Sequence, residues 1–166
     1  MSWLHSASPT PTPLEGALGL RPELLELYRD FYRRLWSETL VAPRLLELCR
    51  LRIAIAHDCE AERAIRHATA RVTDAEVAAL GRWRTAECFA PGERAALTIA
   101  DKMPWAPHAV TDDDVAALRA HLSDREVVAF MLALALFDVQ CRLRLALGVA
   151  AQPATVAAPA SAAVLY

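Results

Sequence analysis

The sequence predicts an all-α protein, one compact domain of roughly seven helices, and three observations predict it. Ala and Leu dominate while Gly is scarce, a composition that favours helix. Apolar residues recur at helical spacing, and no alternating stretch is long enough for a strand. Helix-start signals recur, among them Thr73-Asp-Ala-Glu76, Thr111 with Asp114, and Ser123-Asp-Arg-Glu126. A chain of 166 residues is long enough to bury its own core.

The elements follow in order. Residues 1–19 read as a Pro/Ser/Thr-rich arm, because Pro9, Pro11 and Pro13 alternate with Thr and disfavour both helix and sheet. The arm is expected to be disordered or extended. The helical domain spans residues 20–150. Its first helix starts at Pro22, a residue suited to a first helical position, with Leu24, Leu25, Tyr28, Phe31, Tyr32 and Leu35 on one apolar face. The second runs from Pro43 to about His57, and the third from Asp58 or Cys59 to about Ala70. Thr73 opens a fourth to about Arg84, and Pro91 a fifth to Met103. Met103 to His108, MPWAPH, forms a Pro-flanked turn. Thr111 caps a sixth helix to about Leu122, and Ser123 opens the long seventh to about Val149. Residues 151–166 are an Ala/Pro/Ser-rich tail, expected to be disordered.

Composition excludes several classes. A net charge of -2 gives no basic surplus for nucleic acid. The longest apolar run, Val127 to Phe137, stops at Asp138 and is too short to cross a bilayer. The N-terminal residues lack the basic and apolar regions of a secretory signal, so a cytoplasmic protein is expected. Cys49, Cys59, Cys88 and Cys141 form no CxxC pair, and no HExxH or comparable ligand spacing occurs. No metal and no cofactor is therefore expected.

The chemistry-bearing residues gather between Glu47 and His67. Cys59 stands where a helix restarts, so backbone amides and the positive end of the dipole favour its thiolate. Arg66 lies two turns on and favours it too, whereas Glu62, one turn on, opposes it. The alternative is a structural Cys59 beside a Glu62–Arg66 pair. Glu47, among leucines, reads either as a partly buried acid–base group or as a surface acid paired with Arg44 or Arg50. His57 and His67 read as proton shuttles or as groups near helix ends. Arg142 pairs with Asp138 one turn earlier.

Four segments resemble the carboxymuconolactone decarboxylase / alkylhydroperoxidase D (AhpD)-like family. They are ETLVAPRLLELCRLRIAIAHDCEAE, LGRWRTAECF, PGERAALTIADKM and EVVAFMLALALFDVQCRLRLALGV, and the likeness spans about residues 23–149. The resemblance implies an all-α fold that builds homo-oligomers: a dimer, trimer or hexamer. It also implies, for redox members, a peroxide-reducing CxxC pair, a histidine four residues after the second cysteine, and an upstream relay glutamate. By position, Glu47 matches the relay acid and Cys59 the first cysteine. Glu62 stands at the second cysteine and Arg66 at the histidine, with His67 one residue late. In the last helix Asp138, Gln140 and Cys141 replace Asn, Trp and Asn, while Arg142 is kept.

A two-cysteine motif works because one thiolate attacks and the other resolves the product. Cys59 cannot do both, and only a fold that brings Cys49 or Cys141 near would supply a partner. On a helix, a one-residue offset also turns His67 about 100° from the family position. Three readings follow. The first is a peroxidase-related enzyme with Cys59 as its reactive thiol and Glu47 as relay acid. The second is a non-redox decarboxylase, lyase or isomerase of a small carboxylated substrate, in which Glu47 and His57 or His67 move protons and Arg66 holds the carboxylate. The third is a non-catalytic oligomeric binding protein.

Overall fold

The computed structural model describes residue 4, residues 12–36 and 40–149, and residues 156–157. Among them are eight α-helices: α1 (Pro13–Leu18), α2 (Pro22–Leu35), α3 (Pro43–Ala56), α4 (Glu60–Arg63), α5 (Asp74–Ala79), α6 (Pro91–Lys102), α7 (Asp112–Arg119) and α8 (Asp124–Ala146). The all-α expectation holds. The only pairing of extended backbone among the described residues joins Arg66–His67 (β1) in parallel to Val156–Ala157 (β2). The remainder of the arm and tail lies outside the described residues.

Helix α3 is the axis of the fold and packs against α6 and α8. Its sequence explains why. Leu46, Leu48, Leu51 and Ile53 point to different sides of the helix and are all buried, so α3 needs neighbours all round. α6 supplies Ala96, Leu97, Ile99 and Ala100, and α8 supplies Phe130, Ala133, Leu134 and Phe137. The expected capping boxes form: Thr73, Thr111 and Ser123 accept from the amides of Glu76, Asp114 and Glu126, whose carboxylates reach back to the cap amides.

Three features depart from the sequence reading. Helix α1 lies within the Pro/Thr-rich stretch. Pro13, the last of the alternating prolines, sits in its first turn, where a missing N–H costs nothing, and Thr12 caps it. Glu15, fully buried, anchors α1 to α2 by accepting from Arg29 at 2.6 Å. Second, the single helix expected to run to Ala70 is only α4. The guanidinium of Arg50 takes the carbonyls of Glu62 and Ile65, each at 2.8 Å, and the His67 amide turns to Glu47. With those backbone groups engaged elsewhere, the chain leaves the helix and crosses Arg66–His67 extended before a 3₁₀ turn at Ala68–Ala70. Third, the apolar residues of α2 do not share one face. Leu25, Tyr32 and Leu35 are buried, while Leu24 and Phe31 face outward along with Leu27.

Candidate active site

Both ends of the Glu47–His67 stretch, together with α8, build one buried polar cluster. Glu47 and Arg50, one turn apart on α3, form a two-pronged pair with contacts of 2.8 and 2.9 Å. Arg50 also donates to Glu62 of α4 at 2.9 Å, and the other oxygen of Glu62 accepts from Arg144 of α8. Each of these four side chains is at most 3% exposed. The chain Glu47–Arg50–Glu62–Arg144 carries two negative and two positive charges, so it is buried with no net charge. That matters because an unpaired ion in such a place costs several kcal/mol.

His67 extends the cluster. Its amide donates to Glu47, and its ring lies flat on Trp36 with centroids 3.6 Å apart. Its Nε2 is 2.9 Å from the hydroxyl of Tyr32. Burial, with the Arg50 charge beside it, holds the imidazole well below its ordinary pKa, so His67 is neutral near pH 7. The helical-wheel offset between Arg66 and His67 does not apply, since neither residue is on a helix.

Cys59 is the N-cap of α4 and is buried. Cys141 of α8 lies beside it in the same buried core cluster. That neighbour lowers the Cys59 pKa to about 7. Burial opposes the shift, the Glu62 amide and the Arg144 charge assist it, and the Glu62 carboxylate resists it. The amide approaches the sulfur without forming a regular cap hydrogen bond. Cys141 moves the other way, raised by Cys59 and by burial, so the pair ionises at Cys59. Cys49 lies in the core, where burial raises its thiol, and Cys88 is exposed.

The sequence-predicted residues therefore divide. Glu47, Cys59, Glu62 and His67 belong to one cluster, but the Glu62–Arg66 pair does not form. Glu62 is held by Arg50 and Arg144, while Arg66 donates to the carbonyls of Arg63 and Ile65. Arg66 lines a cleft of about 700 Å³ with Asp58, Glu60 and Arg63 on one side and Val77, Ala78 and Gly81 on the other. His57 belongs to a different group. Its Nε2 lies 2.5 Å from Asp138, which also accepts from Arg142 at 2.8 Å, and its ring lies 4.7 Å from Trp105. Glu47 is neither a surface acid nor a free base, because both oxygens are taken by Arg50.

Sequence reasoning missed Arg50 and Arg144 as site residues. The signal was present: Phe130, Ala133, Phe137, Gln140, Cys141 and Arg144 follow one buried stripe of α8, and an arginine on that stripe requires a buried acid. Arg142, two residues earlier, lies off the stripe and serves the His57 group. Among the described residues, no three His, Cys, Asp or Glu side chains are grouped to hold a metal.

The sequence resemblance implies an all-α fold of this kind, and comparison bears the fold out. The sequence model of the carboxymuconolactone decarboxylase family matches residues 22–102. Solved structures share the fold. A protein of unknown function from Agrobacterium tumefaciens, linked by its description to AhpD antioxidant defence, superposes with a TM-score of 0.70 at 20% identity over 82% of this chain and 95% of its own. An AhpD-core, peroxidase-related protein from Ralstonia eutropha gives 0.72 at 20% over 85% and 77%. The debrominase Bmp8, as a cysteine-to-alanine variant bound to 2,3,4-tribromopyrrole, gives 0.75 at 16% over 86% and 78%. A search of the curated proteins finds no match. Residues 22–102 thus carry the carboxymuconolactone decarboxylase family pattern, and the domain as a whole has the fold of the AhpD-like structures.

Proposed function

We propose that the protein is a thiol-dependent, peroxidase-related oxidoreductase in which Cys59 is the nucleophile. One observation carries this reading: Cys59 stands at the N-cap of α4, buried in one cluster with the Cys141 thiol and next to the Arg50–Glu62–Arg144 ion pairs, a setting that lowers its pKa. The thiolate, not the thiol, attacks peroxide oxygen, and a thiol titrating near neutrality is both ionised and nucleophilic. In the reaction the Cys59 sulfur attacks the O–O bond of a hydroperoxide. The S–O bond forms as the O–O bond breaks, the alkoxide takes a proton and leaves as an alcohol, and Cys59 becomes a sulfenic acid. The substrate approaches by the cleft whose lining includes Asp58 and Glu60, the residues on either side of Cys59.

The non-redox reading needs Glu47 as a free acid–base group. With Glu47 bound at both oxygens by Arg50, it has less support. The non-catalytic reading draws support from the burial of Cys59 and from the ion pairs that close around Glu62. The two remaining readings part on one measurement. Reduced protein mixed with a small excess of an alkyl hydroperoxide should consume about one equivalent in a single turnover. Cys59→Ser should abolish this, and Cys49→Ser and Cys88→Ser should not. If the wild-type protein leaves the peroxide untouched, the catalytic reading fails.

The protein is further proposed to act as a homo-oligomer. Val128, Leu132, Ala135, Val139, Arg142 and Ala146 form an exposed stripe along α8 at alternating spacings of four and three, the pattern of a helix that packs against another. Val128 is 61% exposed, and Leu27 on α2 is 70% exposed. A second copy covering these faces would remove them from water. Sedimentation should show an oligomer that Leu132→Glu converts towards monomer. A wild-type monomer at micromolar concentration would refute this.

A further inference from the structure

We propose that Cys59 and Cys141 form the redox couple of this protein, a dithiol closed between α4 and α8 rather than within one helical turn. The inference rests on the reading of Cys59 as nucleophile and assigns Cys141 as the thiol that resolves it.

α4 meets α8 where Arg144 donates to Glu62. Cys59 and Cys141 each stand three residues earlier in their segments and lie in the same buried core cluster, close enough for the two thiols to influence each other's ionisation. A spacing of three keeps both residues of each element on one face, so the Glu62–Arg144 contact fixes the register of the two thiols. Arg144 is held at most 3% exposed against Glu62, and Glu62 is held in turn by Arg50 of α3, so the α8 face carrying Cys141 is anchored to the core. Both sulfurs are about 1% exposed. A sulfenic acid formed at Cys59 therefore has the Cys141 thiol beside it in the same buried core cluster. Cys49 is no rival. It is buried within α3, and the charged group that perturbs it is Glu93 of α6, on a different side of the helix.

The resolving step balances. The Cys141 sulfur attacks the sulfenic sulfur of Cys59, the S–S bond forms and the S–O bond breaks. The departing hydroxide takes the Cys141 proton and leaves as water. An external small dithiol then reduces the disulfide by exchange, restoring two thiols and becoming a disulfide itself.

Thiol mapping of the full chain tests this. Reduced protein is treated with one equivalent of tert-butyl hydroperoxide, alkylated, digested without reductant and analysed by mass spectrometry. The expected result is a cross-linked peptide pair joining Cys59 to Cys141, with Cys49 and Cys88 alkylated. In Cys141→Ser, and independently in Cys141→Ala, Cys59 should instead be trapped as a dimedone adduct, and multiple turnover with dithiothreitol should fall at least tenfold. A wild-type protein that keeps Cys59 as the sulfenic acid, or cross-links it to Cys49 or Cys88, overturns the couple while leaving the peroxide reaction standing. A Cys59–Cys141 bond formed with diamide but not with peroxide keeps the couple and overturns the peroxide reading.

Discussion

Glu62 is the residue on which the buried cluster balances, and replacing it shows how the charges are coupled. Glu62→Cys would write a CxxC into the chain, yet it leaves Arg50 and Arg144 with Glu47 as the only buried anion among them. One uncompensated buried charge costs about 3–5 kcal/mol. For a chain of this size that lowers Tm by roughly 6–20 °C, at about 2–4 °C per kcal/mol. Arg144→Leu leaves the opposite imbalance, two acids against Arg50, and should cost a similar amount. Combining Glu62→Leu with Arg144→Leu removes one charge of each sign and leaves the two-pronged Glu47–Arg50 pair intact. The double variant should therefore be more stable than the sum of the single effects predicts, by at least about 2 kcal/mol, which lies within the usual range for residues in direct contact. The assay is urea unfolding of the wild type, Glu62→Leu, Arg144→Leu and the double variant at one protein concentration. Additive losses would show that Glu62 and Arg144 do not share a buried charge balance, and the account of the cluster would fail.

Three further outcomes follow from named contacts. His67 has a lowered pKa in the folded protein, so below about pH 6.5 the unfolded chain binds a proton that the native state refuses. Stability should then fall with falling pH by up to about 1.4 kcal/mol per unit, until the folded pKa is reached. His67→Gln should remove that increment from the pH profile, and an unchanged difference between the two proteins across this range would count against it. The ultraviolet absorbance of thiolate should titrate with a midpoint at about 7, vanish in Cys59→Ser, and move up towards about 8.5 in Cys141→Ala, where the lowering neighbour is gone. An unmoved midpoint in Cys141→Ala would separate the two thiols. Ser123→Ala, which removes the cap of α8, should cost about 1 kcal/mol in unfolding free energy without altering thiol titration, and no loss would mean the cap is redundant.

The helices were legible because their starts are written locally. Pro22, Pro43 and Pro91 and the three capping boxes are short-range signals, and each marks a helix start in the structure. The break after α4 was not legible, because its cause is not local. Nothing in Cys59–Ala70 forbids a helix; Arg50, twelve residues before Glu62 and fifteen before Ile65, withdraws the carbonyls that would continue it. Glu47 and Cys59 could be singled out from position, but their partners depend on which face of each helix is buried. Arg142 and Arg144 look alike in sequence. They lie about 200° apart around α8, so one serves the His57 group and the other enters the core.

The two residue pairs between α4 and α8 also explain each other chemically. A thiol at position 62 would leave Arg50 and Arg144 short of an anion, whereas a carboxylate there brings the buried chain to zero net charge. That carboxylate, however, resists ionisation of Cys59 one turn away. Arg144 offsets part of this effect, but the largest stabilising influence on the thiolate is Cys141. Without Cys141, Glu62 would hold Cys59 as an inert buried thiol. Without Arg144, Glu62 would be left with Arg50 alone, already shared with Glu47, and the anion beside Cys59 would be less neutralised. Cys141 and Arg144, one turn apart on α8, thus answer Cys59 and Glu62 on α4, and removing either pair undoes the electrostatic condition under which the other keeps Cys59 reactive.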